Sequence, residues 1–371
     1  MPLTTPIYET TTFVFENAAE VVAYNEGRSK KYLYSRYENP TVVSVEQKLA
    51  ALDRAEAALV FSSGMAATAT ILAGHLKAGD EVICSAAVYG GTFHLLQDLL
   101  SRFAITPRFV SLDELGSVDR ILSSATKLVW FESPINPTLR CVDVRRVAAA
   151  CRARGVLSVV DNTFASPINQ QPHTLGVDLA MQSATKYLNG HSDVTGGTVS
   201  GAAALLAPIQ KARRLLGTVM DPHPAYLLGR GLQTLPVRIA RHNANAQAVA
   251  EMLAEDRRVS CVYYPGLPSH PDHEIAKGQM TGFGGMVCFD LGGDYERATS
   301  LFDRLRVIKR AVSLGGIESL ASLPALTSQW GHSDEELRNA GITKGMIRLS
   351  VGLEDPADLI ADLDQALGMK K

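Results

Sequence analysis

The sequence predicts an α/β protein with a mostly parallel central sheet and a smaller C-terminal α/β domain. From about residue 41, short apolar runs alternate with helical patterns, a rhythm that is typical of this class. About ten residues separate the runs, which is the length of a crossover helix between parallel strands. The runs show no alternation of apolar and polar residues, as expected of strands that are buried on both faces.

The strands and helices of the first part can be assigned in chain order. Strands are predicted at the runs AALVF, EVICS, TPRFV, KLVWFE, VLSVVD and DLAMQ. Helices are predicted from Met65, from about Thr92 to Phe103, and from Asp143. Asp143 can cap the last of these helices, and Gly155 can end it in a left-handed conformation.

Three parts of the chain differ in pattern. Residues 1–40 are rich in Thr, Tyr and Pro and lack helical periodicity, which predicts an arm without a core of its own. Residues 41–235 carry the central sheet. Residues 236–371 form the smaller domain, which begins within a long helical connector over residues 224–255. It contains the predicted strands GGMVCFDL and MIRLSVGL, a helix from Asp294 between them, and the closing helix DPADLIADLDQAL.

Composition excludes several classes of protein. The chain has 371 residues, enough for two or three domains, and its 36 Lys and Arg nearly balance its 38 Asp and Glu. This charge predicts no binding of nucleic acid or of an anionic membrane surface. The five cysteines are scattered and odd in number, which fits a reducing cytoplasm better than a disulfide scaffold. We find neither a secretory signal nor an apolar run long enough to span a membrane.

Polar residues that directly follow apolar runs are candidates for a ligand site, because ligands collect at the carboxyl ends of parallel strands. Ser63 and Gly64 stand between a strand and a helix, where free backbone N–H groups can bind phosphate. Asn136 lies between two prolines, and Asp161 ends a strand. Each has a structural alternative: a tight turn for the first pair, a rigid turn for Asn136 and a helix cap for Asp161.

The fourth junction is QSATKYLNGHSDVTGG, in which Ser183, Thr185 and Lys186 follow a strand. A buried lysine is costly unless it is covalently modified or paired, so the alternative is that Lys186 points to solvent. A phosphate seat, a buried aspartate and a buried lysine together match the requirements of pyridoxal 5'-phosphate (PLP), whose aldehyde binds the lysine and whose ring nitrogen pairs with the aspartate. No metal site is predicted, because the spacing of His270 and His273 alone is poor evidence for one and a solvated helix start explains them better.

Over nearly its whole length the sequence resembles the PLP-dependent enzymes of cysteine and methionine metabolism, the cystathionine γ-synthase and γ-lyase family. The matching motifs are YSRYENPT, FSSGMAA, VYGGT, ESPINPT, VVDNTFASP, QSATKYLNGHSDVTGG, GLQTLPVR, YPGLPSHP, VSLGGIESL and IRLSVGLED. The resemblance implies the aspartate aminotransferase-like transferase fold, known as fold type I. It also implies a homotetramer in which the arm, residues 1–40, contacts a neighbouring subunit.

The resemblance also implies a role for each site residue. Lys186 binds the cofactor aldehyde and moves protons, and Tyr89 stacks on the ring and serves as a catalytic proton donor. Asp161 pairs with the ring nitrogen and Asn136 lies near the phenolic oxygen. The phosphate site is formed by Gly64, Met65, Ser183 and Thr185, together with Tyr34 and Arg36 from a neighbouring subunit. The substrate site is formed by Ser313, Arg348, Glu318 and His94.

The implied reaction is PLP-dependent γ-elimination at a carbon–sulfur bond of methionine, homocysteine or cystathionine. The alternative is γ-replacement on an activated homoserine, as in cystathionine γ-synthases or O-acetylhomoserine sulfhydrylases. His94 favours elimination, because a neutral imidazole binds a distal carboxylate less well than the arginine that is common there. Glu318 favours the cystathionine branch. An aminotransferase and a non-catalytic protein on the same fold are further alternatives.

Overall fold

A computed structural model describes residues 2–331 and 333–368. Its larger sheet has seven strands in the order β1-β7-β6-β5-β4-β2-β3. These strands are β1 (Ala57–Phe61), β2 (Glu81–Ser85), β3 (Thr106–Val110), β4 (Thr126–Glu132), β5 (Leu157–Asp161), β6 (Leu179–Gln182) and β7 (Gly197–Gly201). Only β7 runs antiparallel to its neighbours β1 and β6, so the predicted mostly parallel sheet is confirmed.

The smaller sheet has five strands in the order β10-β11-β12-β9-β8 and is antiparallel except for the β10–β11 pair. Its strands are β8 (Cys261–Tyr263), β9 (Met286–Asp290), β10 (Lys309–Arg310), β11 (Leu320–Ser322) and β12 (Met346–Ser350). The domain bounds predicted above stay predictions, although this sheet lies within residues 236–371.

Fourteen α-helices accompany the strands of the described residues. They are α1 (Ala18–Asn25), α2 (Pro40–Asp53), α3 (Gly64–His75), α4 (Gly90–His94), α5 (Leu112–Leu115), α6 (Val144–Ala153), α7 (Ser166–Asn169), α8 (Ala203–Leu216), α9 (Pro222–Leu232), α10 (Leu235–Glu255), α11 (His273–Gln279), α12 (Tyr295–Arg304), α13 (Asp334–Asn339) and α14 (Pro356–Leu367). As predicted, Asp143 caps α6 and Gly155 adopts a left-handed conformation just after it.

Two predicted helices are each divided in the structure. The helix expected near residues 92–103 is α4 followed by a π-helical turn, Leu95–Leu99, and a 3₁₀ turn, Leu100–Phe103. The connector over residues 224–255 is two helices, α9 and α10. It breaks because Pro236, near the start of α10, lacks an N–H and its ring would clash with the carbonyl four residues earlier.

Both faces of the larger sheet are covered, as its apolar runs predict. In β4, Leu128 and Trp130 pack into the apolar cluster on one face, and Val129 and Phe131 pack into the cluster on the other. All four side chains are fully buried. This double burial leaves only the strand ends for polar chemistry.

The strand β7 was not predicted, since its sequence GTVSG has no apolar run. Every residue of β7 is nevertheless buried. A β-carbon at Gly197 would lie 2.2 Å from the carbonyl oxygen of Ser63, so glycine is required where β7 passes the β1–α3 turn. The sequence of this strand reflects close backbone approach rather than hydrophobicity.

The N-terminal arm is little buried: residues 2–38 are all exposed or half-buried. No residue of α1 is buried. The hydroxyl of Thr41 accepts from the Tyr8 N–H at 3.0 Å and donates to the Pro6 carbonyl at 2.9 Å. Within the described residues no helix is both long and apolar enough to cross a membrane.

Candidate active site

A cavity of about 540 Å³ opens at the carboxyl ends of the parallel strands. Ten of the fourteen residues predicted for the site line it: Gly64, Met65, Tyr89, Asn136, Asp161, Ser183, Thr185, Lys186, Ser313 and Arg348. The strands β4, β5 and β6 end side by side at this edge, because they are parallel neighbours in the sheet. Chain direction therefore brings together residues that are far apart in sequence.

Lys186 lies in the turn after β6 and faces the smaller domain. Its Nζ donates to the hydroxyl of Ser313 at 2.6 Å. Burial and the nearby Arg348 guanidinium lower the pKa of Lys186 from 10.5 to about 8. A lysine with this pKa is partly neutral near physiological pH, which is the form that attacks an aldehyde.

Asp161 ends β5 with one carboxylate oxygen bound and one free. Oδ1 accepts hydrogen bonds from the backbone N–H and the hydroxyl of Thr163. Oδ2 has no hydrogen-bond partner among the described residues. Burial raises the pKa of Asp161, while the bonds from Thr163 oppose the rise. A partly buried oxygen without a partner suits a positively charged N–H donor such as a protonated pyridine nitrogen.

The start of α3 provides the predicted phosphate seat. Ser63 caps the helix by accepting from the Ala66 N–H at 3.0 Å, so the first N–H groups of the helix remain available. A β-carbon at Gly64 would lie 3.1 Å from Ser183 Oγ, so a side chain there would crowd the serine. Thr185 is fixed by a hydrogen bond from the Gly196 N–H at 3.0 Å.

Arg348, Asn136 and Ser313 form a group at the domain boundary. Arg348 stands in the interior of β12, and its Nη1 donates to Asn136 Oδ1 at 2.7 Å. Its Nη2 donates to the Ser313 carbonyl at 3.3 Å. Burial lowers the pKa of Arg348, yet guanidinium stays charged at physiological pH. The planar fork is therefore held in place and can bind a carboxylate.

Gly315 allows the two domains to meet at the site. It has a φ of +77°, and a β-carbon on it would lie 2.6 Å from the backbone nitrogen of Tyr187. Its own N–H donates to Ser350 Oγ at 2.9 Å. The loop that carries Ser313 can thus lie directly on the backbone next to Lys186.

Comparison with known proteins identifies the family. A family model described as Cys/Met metabolism PLP-dependent enzyme matches residues 2–368. The chain belongs to this family. It is therefore a PLP-dependent enzyme, and the predicted cofactor is confirmed. The free oxygen of Asp161, the lysine and the helix terminus with its serine and threonine fit PLP.

Relatives of the chain include lyases and synthases. It is 42% identical over 367 residues to L-methionine gamma-lyase of Pseudomonas putida, and the match covers 98% of this chain and 92% of that protein. It is 46% identical over 344 residues to cystathionine gamma-lyase of Mus musculus, with 92% and 86% covered. It is 40% identical over 366 residues to the chloroplastic cystathionine gamma-synthase 1 of Arabidopsis thaliana. The match covers 98% of this chain but spans only 65% of that longer protein.

A solved structure confirms the fold class. The structure described as metB from Corynebacterium glutamicum superposes with a TM-score of 0.91 at 38% identity. The superposition covers 99% of this chain and 93% of that chain. The enzyme therefore has the fold type I architecture that the motifs imply.

Four predicted site residues lie outside the cavity of the enzyme's single chain. Tyr34 and Arg36 lie on the arm, where the Arg36 guanidinium stacks 5.6 Å from the Tyr34 ring and donates to the Arg214 carbonyl. Glu318 accepts from Ser192 Oγ. His94 is 67% exposed and pairs with Asp98 at 2.9 Å, one helical turn away. Their roles in this PLP-dependent enzyme stay predictions.

Several residues that line the cavity were not among the predicted site residues. Glu132 and Thr163 line the cavity, and Thr163 holds both Asp161 and the Ser183 N–H, the latter at 2.8 Å. Glu132 ends β4 and Thr163 lies two residues after the end of β5, so a search for polar residues at strand ends could have found them. Over residues 2–331 and 333–368, no group of three or more His, Cys, Asp or Glu side chains is arranged to hold a metal ion.

Proposed function

We propose that the enzyme is a PLP-dependent carbon–sulfur γ-lyase that acts on methionine, homocysteine or cystathionine. The products are a 2-oxo acid, ammonia and a thiol. Among these substrates, methionine and homocysteine fit best. The observation that carries this choice is the charge pattern of the cavity.

Of the described residues that line the cavity, only Lys186 and Arg348 are cations. If Arg348 binds the α-carboxylate of the substrate, no second guanidinium is left for a distal carboxylate. Apart from Glu132 and Asp161, the rest of the lining is uncharged, with side chains such as Val312 and Thr327. A neutral thioether or thiol side chain requires no further charge, whereas a second carboxylate requires a partner.

The chain's own groups can perform the proton transfers of this reaction. When bound, PLP supplies an aldehyde that captures the substrate amine and a ring that accepts electrons from the α carbon. Lys186 Nζ would take the proton from the α carbon, and its lowered pKa suits this task near neutral pH. A second proton must then leave the β carbon before the sulfur can leave the γ carbon. Arg348 and Ser313 orient the substrate next to Nζ. The Tyr89 hydroxyl is the proposed donor of a proton to the leaving sulfur.

Gamma-replacement on an activated homoserine is the second candidate. It is favoured by the similarity to a cystathionine gamma-synthase and to the metB structure. Both reactions share the removal of the α proton by Lys186. They differ in whether a thiol captures the substrate after the γ substituent has left.

One substrate panel tests the proposal. Release of 2-oxobutanoate is measured from methionine, homocysteine, cystathionine, O-acetylhomoserine and O-succinylhomoserine, each with and without cysteine or sulfide. We expect release from methionine and homocysteine without an added thiol, and Lys186→Ala serves as the blank. If only the homoserine esters react and the thiol diverts the product to a thioether, the enzyme is a synthase.

The active assembly is proposed to be a homotetramer, with a dimer as the smallest active unit. The exposed pair Tyr34 and Arg36, on an arm with little burial, supports this. A mixture of inactive Arg36→Ala and Lys186→Ala proteins should regain part of the activity, because one hybrid site has both residues intact. A fully active monomer in sedimentation velocity would contradict the proposal. A cytoplasmic location is proposed from the free state of all five cysteines.

A further inference from the structure

Glu132 is a buried carboxyl group in the cavity that the proposed reaction does not use. It ends β4 directly beside Asp161, its partner in the pairing of β4 with β5. It is 5% exposed and lines the cavity. Burying a carboxyl group next to a second one costs free energy, so the contacts that Glu132 makes are of interest.

The contact that Glu132 makes is with the backbone of Tyr89. Its Oε1 accepts from the Tyr89 N–H at 2.6 Å. Tyr89 is the residue before α4, and its side chain does not cap that helix. The hydrogen bond from Glu132 therefore fixes the backbone from which the Tyr89 ring projects.

The Tyr89 ring itself is half exposed but closely packed on one side. A β-carbon at Gly91 would lie 2.6 Å from Cε1 of the ring and 2.8 Å from Met65 Sδ. The ring therefore occupies space that any larger residue at position 91 would take. Its position depends on the glycine on one side and on the backbone bond to Glu132 on the other.

The two neighbouring carboxyl groups differ in their hydrogen bonds. Asp161 accepts two hydrogen bonds from Thr163, whereas Glu132 accepts one, from the Tyr89 N–H. Burial and the neighbouring Asp161 raise the pKa of Glu132 well above its ordinary value, while the bond from Tyr89 opposes the rise. The contact with Tyr89 requires only an acceptor oxygen of Glu132.

We propose that Glu132 is a positioning residue that holds Tyr89 over the cavity as a hydrogen-bond acceptor and thereby sets the affinity of the enzyme for PLP. The inference rests on the roles proposed above for Tyr89 and Asp161. It concerns cofactor binding alone and is independent of whether the enzyme eliminates or replaces.

Three variants distinguish whether Glu132 acts as a hydrogen-bond acceptor, as a charged group or only by filling space. Glu132→Gln keeps the acceptor oxygen at the same reach and removes the acid. Glu132→Asp keeps the acid but withdraws the oxygen by one methylene, and Glu132→Ala removes the acceptor. Glu81→Ala is the matched control, because Glu81 lies at the opposite end of the same sheet and accepts from Ser123 Oγ at 3.1 Å.

For each variant we would measure the Kd for PLP by equilibrium dialysis, the visible circular dichroism of the bound cofactor and thermal unfolding of the cofactor-free protein. We expect the Kd to rise about tenfold or more in Glu132→Ala and Glu132→Asp, with a weakened dichroic band, because the Tyr89 backbone would lose the hydrogen bond that fixes it. In Glu132→Gln we expect a rise within about threefold and a preserved band. Glu81→Ala should change unfolding only.

Two results would overturn the proposal. One is Glu132→Gln losing as much affinity as Glu132→Ala, which would show that the acid itself is needed. The other is Glu132→Asp binding PLP like the unmodified enzyme with the same dichroic band, which would show that the acceptor position is irrelevant. If Glu132→Ala does not fold, the comparison of Glu132→Gln with Glu132→Asp still tests whether the position of the acceptor oxygen matters. The substrate panel plays no part, so a wrong substrate assignment would leave this result intact.

Discussion

The two sheets contribute to the cavity in different ways. The larger, mostly parallel sheet supplies it from its edge: Glu132 and Asp161 end their strands, and Lys186 follows the next one. The smaller sheet supplies Arg348 from the interior of β12 and Ser313 from a loop. Parallel neighbours end on the same side, whereas antiparallel neighbours do not. In a parallel sheet the common strand direction therefore brings several residues to one edge, whereas the antiparallel sheet contributes single side chains.

This difference separates two tasks. Most of the residues proposed for PLP lie on or beside the larger sheet, with Tyr34 and Arg36 on the arm. Ser313 and Arg348, which are proposed for the substrate carboxylate, lie on the smaller domain. Only a few contacts join the two sets, chiefly Lys186 to Ser313 and Arg348 to Asn136. Variants on one sheet should thus affect cofactor binding, and variants on the other should affect substrate binding.

The largest effect is expected from Lys186→Ala on the side of the larger sheet. Turnover should fall by at least about a thousandfold, because the variant lacks the amine that is proposed both to bind the aldehyde and to act as the base. Stopped assays of 2-oxobutanoate and the visible spectrum of the PLP-supplied protein would measure this. The exposed Lys211→Ala on α8 is the control. Activity of Lys186→Ala near that of the control would contradict the assignment.

Arg348→Lys should affect the other side. KM for methionine should rise by roughly ten- to a hundredfold, since an ammonium group cannot reproduce the two bonds of the guanidinium fork. The Kd for PLP should change little, and this contrast with Lys186→Ala is the sharpest test of the division between the sheets. Arg310→Lys, on the edge strand β10, provides a comparison. An equal loss of PLP affinity in Arg348→Lys would refute the division.

A smaller effect is expected on the pH dependence of the free energy of unfolding. It involves both sheets, because Lys186 follows the larger sheet and Arg348 lies on the smaller one. Burial and the Arg348 charge lower the pKa of the Lys186 amine in the folded protein from 10.5 to about 8, so the unfolded chain binds more protons between these limits. The free energy of unfolding of the cofactor-free enzyme should therefore rise with pH from about 8 to about 10.5, relative to Lys186→Met. Below this window the cost of the buried charge is fully present.

In Arg348→Met the same window should begin at a higher pH, because the Arg348 charge is the second cause of the lowered pKa after burial. Chemical denaturation across this pH range, with Lys186→Met as the reference, measures both effects. An unchanged window in Arg348→Met would show that burial alone sets the pKa and that the sheets are not electrically coupled.

The smallest effect is expected from His94→Ala. Because the His94 side chain is 67% exposed and its pair with Asp98 is solvated, KM for methionine should change by less than about twofold. The test should include cystathionine, because it carries the distal carboxylate that His94 is predicted to contact. A tenfold rise in KM for cystathionine alone would place His94 at the active site of the assembled enzyme.

The family and most of the cofactor site could be predicted from sequence because both are recognisable in short sequence motifs. Apolar runs identified six strands of the larger sheet, and the residues after them identified Asp161, Lys186 and the phosphate seat. The strand β7 could not be found this way. Its glycines serve close approach between backbones, and that requirement appears only when β1 and β6 are placed beside it.

By itself, the sequence determined the α/β class through its hydrophobic pattern, and the polar residues that follow the apolar runs indicated PLP chemistry. Met65, Tyr89, Ser313 and Arg348 were predicted only through the resemblance to the family. Only the tertiary structure decided the rest. It showed that Glu132 lies beside Asp161 and holds Tyr89, that Arg348 faces Lys186 from the second domain, and that His94 points to solvent. These are contacts between segments far apart in the chain, and their distances depend on how the sheets pack, which no local pattern encodes.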